Sequence, residues 1–161
     1  MKKHFIPAIA MLAIVITLAS LGFFLKPKPV VTPTGMTAEE TVQFYFEQWN
    51  NKNAKAMDSV VRENRRFGKI SSTFVYVKLT KCVDETPKNM EREGSYFSRT
   101  YPGYVEYAIV EVEFEIEHES GGLFDDAGGG FGHGKTYVAW RYTLGKKDVN
   151  SDWEILGWGV A

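Results

Sequence analysis

Between Val110 and Glu117 the chain runs Val110-Glu111-Val112-Glu113-Phe114-Glu115-Ile116-Glu117, apolar and acidic residues in strict alternation. A helix advances about 100° per residue and would scatter both kinds around its axis. A strand places residues i and i+2 on one face, so Val110, Val112, Phe114 and Ile116 form an apolar side and the glutamates a wet one. The stretch from Tyr104 to His118 is the longest strand signal in the protein. Its apolar face obliges the rest of the chain to supply a cover.

A helix and further strands are readable as that cover. Thr37-Ala38-Glu39-Glu40 is a capping box, in which the threonine accepts from the first free amides and Glu40 reaches back. Val42, Tyr45, Phe46 and Trp49 follow at helical spacing and make one apolar stripe. Asn50-Asn51-Lys52-Asn53 ends that helix, and Ala54 to about Arg62 predicts a second, shorter one with Met57, Val60 and Val61 on one side. From Thr73 the period becomes two, Val75, Val77 and Leu79 alternating with Phe74, Tyr76 and Lys78. Glu85 to Gly103, polar and containing Pro87, Gly94 and Pro102, reads as a long connection with a short strand near Tyr96-Phe97. Val105, Tyr107 and Ile109 share parity with the later glutamates, which predicts a bulge near Ala108. Gly121 to Gly134, with seven glycines, reads as a long hairpin loop. Thr136 to Leu144 and Trp153 to Trp158 complete the strands, with a polar turn from Lys146 to Asp152 between them.

Ahead of this domain, residues 36–161, lie two other segments. Lys2-Lys3-His4 precedes an uncharged run of 21 residues, Phe5 to Leu25, which as a helix spans about 30 Å, the thickness of a bilayer's hydrocarbon core. It is expected to be an uncleaved single-pass membrane anchor over residues 1–25. A signal peptide cut near Ala19 or Gly22, leaving a secreted protein, is the alternative, against which the apolar run continues through Phe23-Phe24-Leu25. The basic start followed by an apolar run places the C-terminal domain outside the cytoplasm. Residues 26–35, with Pro27, Pro29 and Pro33, then form an extended spacer.

Composition removes several classes. Cys82 is the single cysteine, so an intrachain disulfide, a cysteine-based zinc site and a lipoprotein attachment are all excluded. Basic side chains number 19 against 20 acidic, a balance that argues against nucleic acid as a partner. His4, His118 and His133 show no ligand spacing, and the chain is expected to carry neither metal nor cofactor.

Two helices followed by long antiparallel strands give an α+β order in which the sheet must curl around the first helix. The opening from Thr37 through Phe46 and Trp49-Asn50-Asn51-Lys52-Asn53, with the second helix after it, resembles the start of the nuclear-transport-factor-2-like superfamily of cone-shaped domains. The ending, Trp140-Arg141-Tyr142-Thr143-Leu144, a charged turn, then Trp153-Glu154-Ile155-Leu156-Gly157-Trp158-Gly159, is similar to that superfamily's last two strands. More narrowly the chain resembles a domain-of-unknown-function group of short, exported Gram-positive bacterial proteins. The resemblance implies a two-helix hairpin packed in a strongly curved antiparallel sheet. It says little about activity, because the superfamily contains isomerases, dehydratases, transport adaptors and binding modules. No residue here matches an active-site motif of its enzymes, so no catalytic residue is carried over.

Tyr45, Trp49, Trp140 and Tyr142 are the residues expected to line the mouth of such a cone and to contact a ligand there, if it is open; against that stands plain core, since aromatic stripes usually fill space. His118 and Asp58 are the candidates for a general base. Glu111, Glu113, Glu115 and Glu117 lie about 7 Å apart along one strand, too far to share one small ion, and are expected to pair with lysines or arginines, Arg141 among them. Asp125-Asp126 lacks the spaced ligands of a calcium loop. The leading functional expectation is a membrane-tethered extracytoplasmic binding or interaction module, non-enzymatic, for a peptide, a wall component, a small apolar ligand or a protein. The alternative is an isomerase- or dehydratase-like enzyme using one general base. Homodimerisation through the outer sheet face is a third reading, opposed by repulsion between like charges across a two-fold axis.

Overall fold

The computed structural model describes residues 32–70, 74–118 and 135–160, His118 by its backbone alone. The Phe5 to Leu25 run, the spacer before Thr32, the glycine loop with Asp125-Asp126, and His4 and His133 lie outside the described residues. Among the described residues no helix is long and apolar enough to cross a membrane.

Helix α1, Ala38–Asn50, begins at the expected box: Thr37 Oγ1 accepts from the Glu40 amide at 3.1 Å and Glu40 accepts from the Thr37 amide at 2.8 Å. Its buried residues, Ala38, Thr41, Val42, Tyr45, Phe46 and Trp49, recur every three or four positions, so one stripe faces inward. Lys52 turns the chain at φ 53°, and Asn53 caps the short α2, Ala54–Ser59, by accepting from the Ala56 amide. A 3-10 turn, Glu63–Arg65, follows.

Four strands then form one antiparallel sheet in the order β1-β2-β3-β4: β1 Phe74–Asp84, β2 Glu106–His118, β3 Lys135–Lys146 and β4 Glu154–Val160. The chain is α+β. The apolar side of β2 meets the α1 stripe as its alternation requires: Val110, Val112, Phe114 and Ile116 are buried in one cluster with Val42, Tyr45, Phe46 and Trp49. Each such aliphatic or aromatic side chain contributes about 1.5–3 kcal/mol by leaving water.

Two expectations are corrected. The segment read as a loop with a short strand is a helix, α3, Thr86–Thr100. Pro87 sits in its first turn, where no amide partner is lost, and only Asn89 and Phe97 are buried, so it lacks the apolar stripe by which helices are recognised. The bulge expected near Ala108 is absent, since β2 pairs with β3 in unbroken register from Glu106 opposite Lys146 to Val112 opposite Trp140. Ala108 continues the inner face, and the apolar Tyr107 and Ile109 point outward because α3 covers them: Phe97 stacks on Tyr107 with centroids 5.9 Å apart, and Ile109 bonds Glu85 and Thr86 through its backbone. The extra residues lie in the other strands instead: against β2, between Phe74 and Tyr76 and between Leu79 and Lys81 in β1 and at Val138 and Ala139 in β3, and, against β3, at Leu156 in β4. Ala139 takes φ 51° to make its bulge. Each bulge bends and twists its strand locally.

Candidate functional site

The four aromatic residues expected at a ligand sit among one another and their neighbours. Tyr45 and Tyr142 are brought together at 5.8 Å and both contact Phe46, while Trp49 lies edge-on to Tyr45 and stacks on Phe74. Trp140 is half-buried against Phe114 and Tyr137. Burial, with Asp58 adding a smaller repulsion, pushes the Tyr45 hydroxyl far above its ordinary range, and burial does the same to Tyr142. Both stay protonated at neutral pH.

Asp58 uses both carboxylate oxygens on backbone amides, Phe67 at 3.0 Å and Gly68 at 2.8 Å. His118 pairs through its backbone with Phe74. The glutamate ladder is paired as expected: Lys81 Nζ is 2.9 Å from Glu111 and 3.4 Å from Glu113, Lys78 is 3.9 Å from Glu115, and Arg141 lies 3.8 Å from Glu111 and 3.6 Å from Glu93 of α3. The hydrogen bond from Lys81, helped by the charges of Lys81 and Arg141, holds the Glu111 carboxyl below its usual value. Burial pushes the Cys82 thiol up to about 12, so it is not a nucleophile at neutral pH.

A different set of residues forms a recess. Val60, Val61 and Arg62 lie beside β4 as a short parallel addition, with the Arg62 amide donating to Ile155 O at 2.9 Å and the Ile155 amide to Val60 O at 2.8 Å. On the outer face of β3 and β4, the loop after α3 lies close over two glycines. A Cβ at Gly145 would stand 2.8 Å from the Tyr104 ring, and one at Gly157 would stand 2.9 Å from the Tyr101 hydroxyl. Gly103 makes the turn between them at φ 94°. Between the loop and the Arg62–Arg66 segment opens a cleft of about 400 Å³, walled by Arg62, Glu63, Arg66, Tyr104, Lys147 and Glu154. A smaller cleft of about 160 Å³ adjoins it, sharing Tyr104, Lys147 and Glu154 and adding Ser59, Asp152 and Trp153. Neither is lined by Tyr45, Trp49, Trp140 or Tyr142.

The electrostatics of the larger cleft are asymmetric. Glu154 already accepts the Tyr104 hydroxyl at 2.5 Å and lies 3.1 Å from Lys147 Nζ. Burial and that hydrogen bond push the Tyr104 hydroxyl up to about 12, so it remains a donor and is no base at neutral pH. Arg62 stands over the Tyr101 ring at 5.8 Å, and Arg66 Nε donates to Val61 O at 3.1 Å, which orients its guanidinium. Neither arginine has a carboxylate within ion-pair distance among the described residues. Three cations, Arg62, Arg66 and Lys147, line the recess against two acids, Glu63 and a Glu154 that is already engaged, and that surplus of positive charge suits a phosphate or carboxylate group. No cluster of three acids, histidines or cysteines able to hold a metal occurs among the described residues.

Sequence reasoning singled out none of Arg62, Arg66, Tyr104, Lys147 and Glu154 for a site. One signal was present: residues 62–69 hold four cations, Arg62, Arg65, Arg66 and Lys69, against Glu63. The family described as Domain of unknown function (DUF4829) matches residues 39–159. The chain belongs to that family. The DUF4829 match opens inside α1, closes near the end of β4 and takes in every residue that walls the larger cleft. No curated protein and no solved structure matches the chain.

Proposed function

We propose that this DUF4829 protein is a membrane-tethered, extracytoplasmic binding module whose ligand presents an anionic group to the cleft between Arg62, Arg66 and Lys147. One observation carries the reading: two arginines without carboxylate partners among the described residues line, with Lys147, a recess whose acids are Glu63 and a Glu154 already engaged by Tyr104 and Lys147. A small apolar ligand has no place there. A phosphate or carboxylate does, whether borne by a peptide, a wall component or a partner protein. Binding is favoured over catalysis because Tyr104 keeps its proton and Glu154 and Asp58 are each held by two donors.

The 21-residue apolar run after Lys2-Lys3 supports the tether, and its basic start supports export of the domain. The α1 stripe set against β2, with a second helix before an antiparallel sheet, supports assignment to the nuclear-transport-factor-2-like cone.

Titration of the full chain in detergent with glycerol phosphate and with acetate, followed by amide NMR shifts, tests the cleft. Saturable shifts are expected at residues 62–66 and 102–104, with affinity falling about tenfold or more in Arg66→Gln. Unchanged spectra, or binding indifferent to that substitution, would reject it. Cell fractionation tests the tether: a full-length chain in the membrane fraction with a protease-accessible domain is expected, and a shortened chain in the medium is the outcome of signal cleavage.

A further inference from the structure

The described chain begins against the clefts. Thr32 donates its hydroxyl to Ser59 Oγ at 2.7 Å, and the Gly35 amide donates to Asp152 Oδ1 at 2.8 Å. Ser59 and Asp152 both line the smaller cleft, which shares Tyr104, Lys147 and Glu154 with the cationic one. Residues 26–31, which precede this docked segment, span at most about 20 Å when fully extended. On the tether reading above, those six residues are all the chain that separates the docked segment from the Phe5 to Leu25 run.

The loop beside the cleft has the chemistry of an interfacial contact. Residues 62–69 carry four cations and one acid. With the four lysines before residue 32 set aside, the remainder of the chain has 15 basic against 20 acidic side chains, so the loop opposes the charge of its own domain. At its tip Phe67 is 48% exposed among those cations. Phe67 is not loose: its amide and that of Gly68 bond Asp58, and its ring stacks on Trp158 at 5.5 Å. A fixed apolar side chain with arginines and a lysine within a few residues of it in the chain matches the boundary between lipid headgroups and acyl chains.

We infer that the anionic group taken by the Arg62–Arg66 cleft is the headgroup phosphate of an anionic lipid in the membrane that holds the chain, with Phe67 and the cations of residues 62–69 resting on the same surface. The inference rests on the tether and anion-cleft readings above. Each basic side chain brought near an anionic surface strengthens the association about fivefold, and a tether shorter than a few Debye lengths, each about 10 Å, keeps the loop within reach of the surface field.

The test uses the full chain in nanodiscs of phosphatidylcholine alone or mixed with phosphatidylglycerol. Hydrogen exchange is read at residues 62–69 and 101–104. Slowing by roughly tenfold or more is expected with phosphatidylglycerol only, and it should vanish in 1 M salt, where the screening length falls to about 3 Å, and in the Arg62→Gln/Arg66→Gln variant. A second variant, Arg65→Gln/Lys69→Gln, changes two exposed side chains and should lose part of the slowing with unchanged melting. Protection by glycerol phosphate in detergent, with no difference between the two nanodiscs, would overturn the lipid source and leave the anion cleft standing. No protection by either would remove both. Slowing that survives Arg62→Gln/Arg66→Gln would overturn the placement of the headgroup in the cleft, and a chain that fails to enter the discs would remove the tether on which the inference stands.

Discussion

Asn50 closes the outer edge of β1. Its side-chain amide donates to Val77 O and accepts from the Val77 amide at 2.8 Å, standing in for one residue of a missing neighbour strand. An edge strand with free amides invites pairing with other chains, and this contact is a local answer to that hazard. Asn50→Ala removes both bonds and leaves the Val77 groups to water, so a loss of about 1–2 kcal/mol is expected. Urea unfolding of the variant measures it, and a loss under a few tenths of a kcal/mol would show that water replaces the side chain at no cost. The role was not legible in the sequence, where Asn50 reads only as the residue that ends a helix. Thr37 was legible, because both halves of its capping box lie within four residues.

At the scale of elements, α3 decides the most. It packs on β2 through Phe97, its one fully buried large apolar side chain, and Glu93 reaches Arg141 of β3. Phe97→Ala is expected to cost about 3 kcal/mol and to loosen the whole helix, whereas Tyr96→Ala, at a side chain 56% exposed, should change stability by less than about 0.5 kcal/mol. Thermal unfolding compares the two, and amide exchange across residues 86–100 shows whether the helix is released. Equal effects would mean that α3 is not anchored by the stack on Tyr107. The same helix explains why Tyr107 and Ile109 misled a reading by parity: an apolar side chain on the outer face of a sheet implies either a bulge or a cover, and the cover was hidden in a polar segment. The glutamate ladder was readable, since alternation names the face and charge names the partner, and Lys81, Lys78 and Arg141 stand where pairing needs them.

For the whole molecule, the groups whose ionisation folding opposes are concentrated on the alkaline side. Tyr45, Tyr104, Tyr142 and Cys82 all titrate above their ordinary values, chiefly through burial, Tyr104 and Cys82 at about 12. A raised folded-state value means that the unfolded chain loses its protons first. The stability these groups contribute is complete below their unfolded values, near 9 for the thiol and 10 for the phenols, and is lost as pH rises through their raised folded-state values, about 12 for Tyr104 and Cys82. Denaturant midpoints are expected to fall steeply above pH 10, and Tyr104→Phe should flatten part of that fall. A midpoint independent of pH between 9 and 12 would contradict the burial of these four groups.

What the sequence by itself determined was everything carried by short-range periodicity and cap chemistry: the α+β order, the start of α1, the face that β2 buries and the pairing of its glutamates. The cap and the buried face depend on residues two to four positions apart, whose geometry is set by the backbone alone, and the glutamates follow because alternation puts them on the face where basic side chains of the neighbouring strands meet them. The tertiary structure decided the helix at residues 86–100, the strands that bulge, and the cleft, which joins Arg62 and Arg66 to Tyr104, Lys147 and Glu154 from three separate segments. That assembly follows from a loop pressed onto Gly145 and Gly157 and a segment laid along β4. Such contacts join residues from about 40 to more than 90 positions apart, as in Tyr104 with Gly145 and Arg62 with Ile155, and no local pattern records them because the energy that makes them belongs to packing, which exists only once the chain has folded.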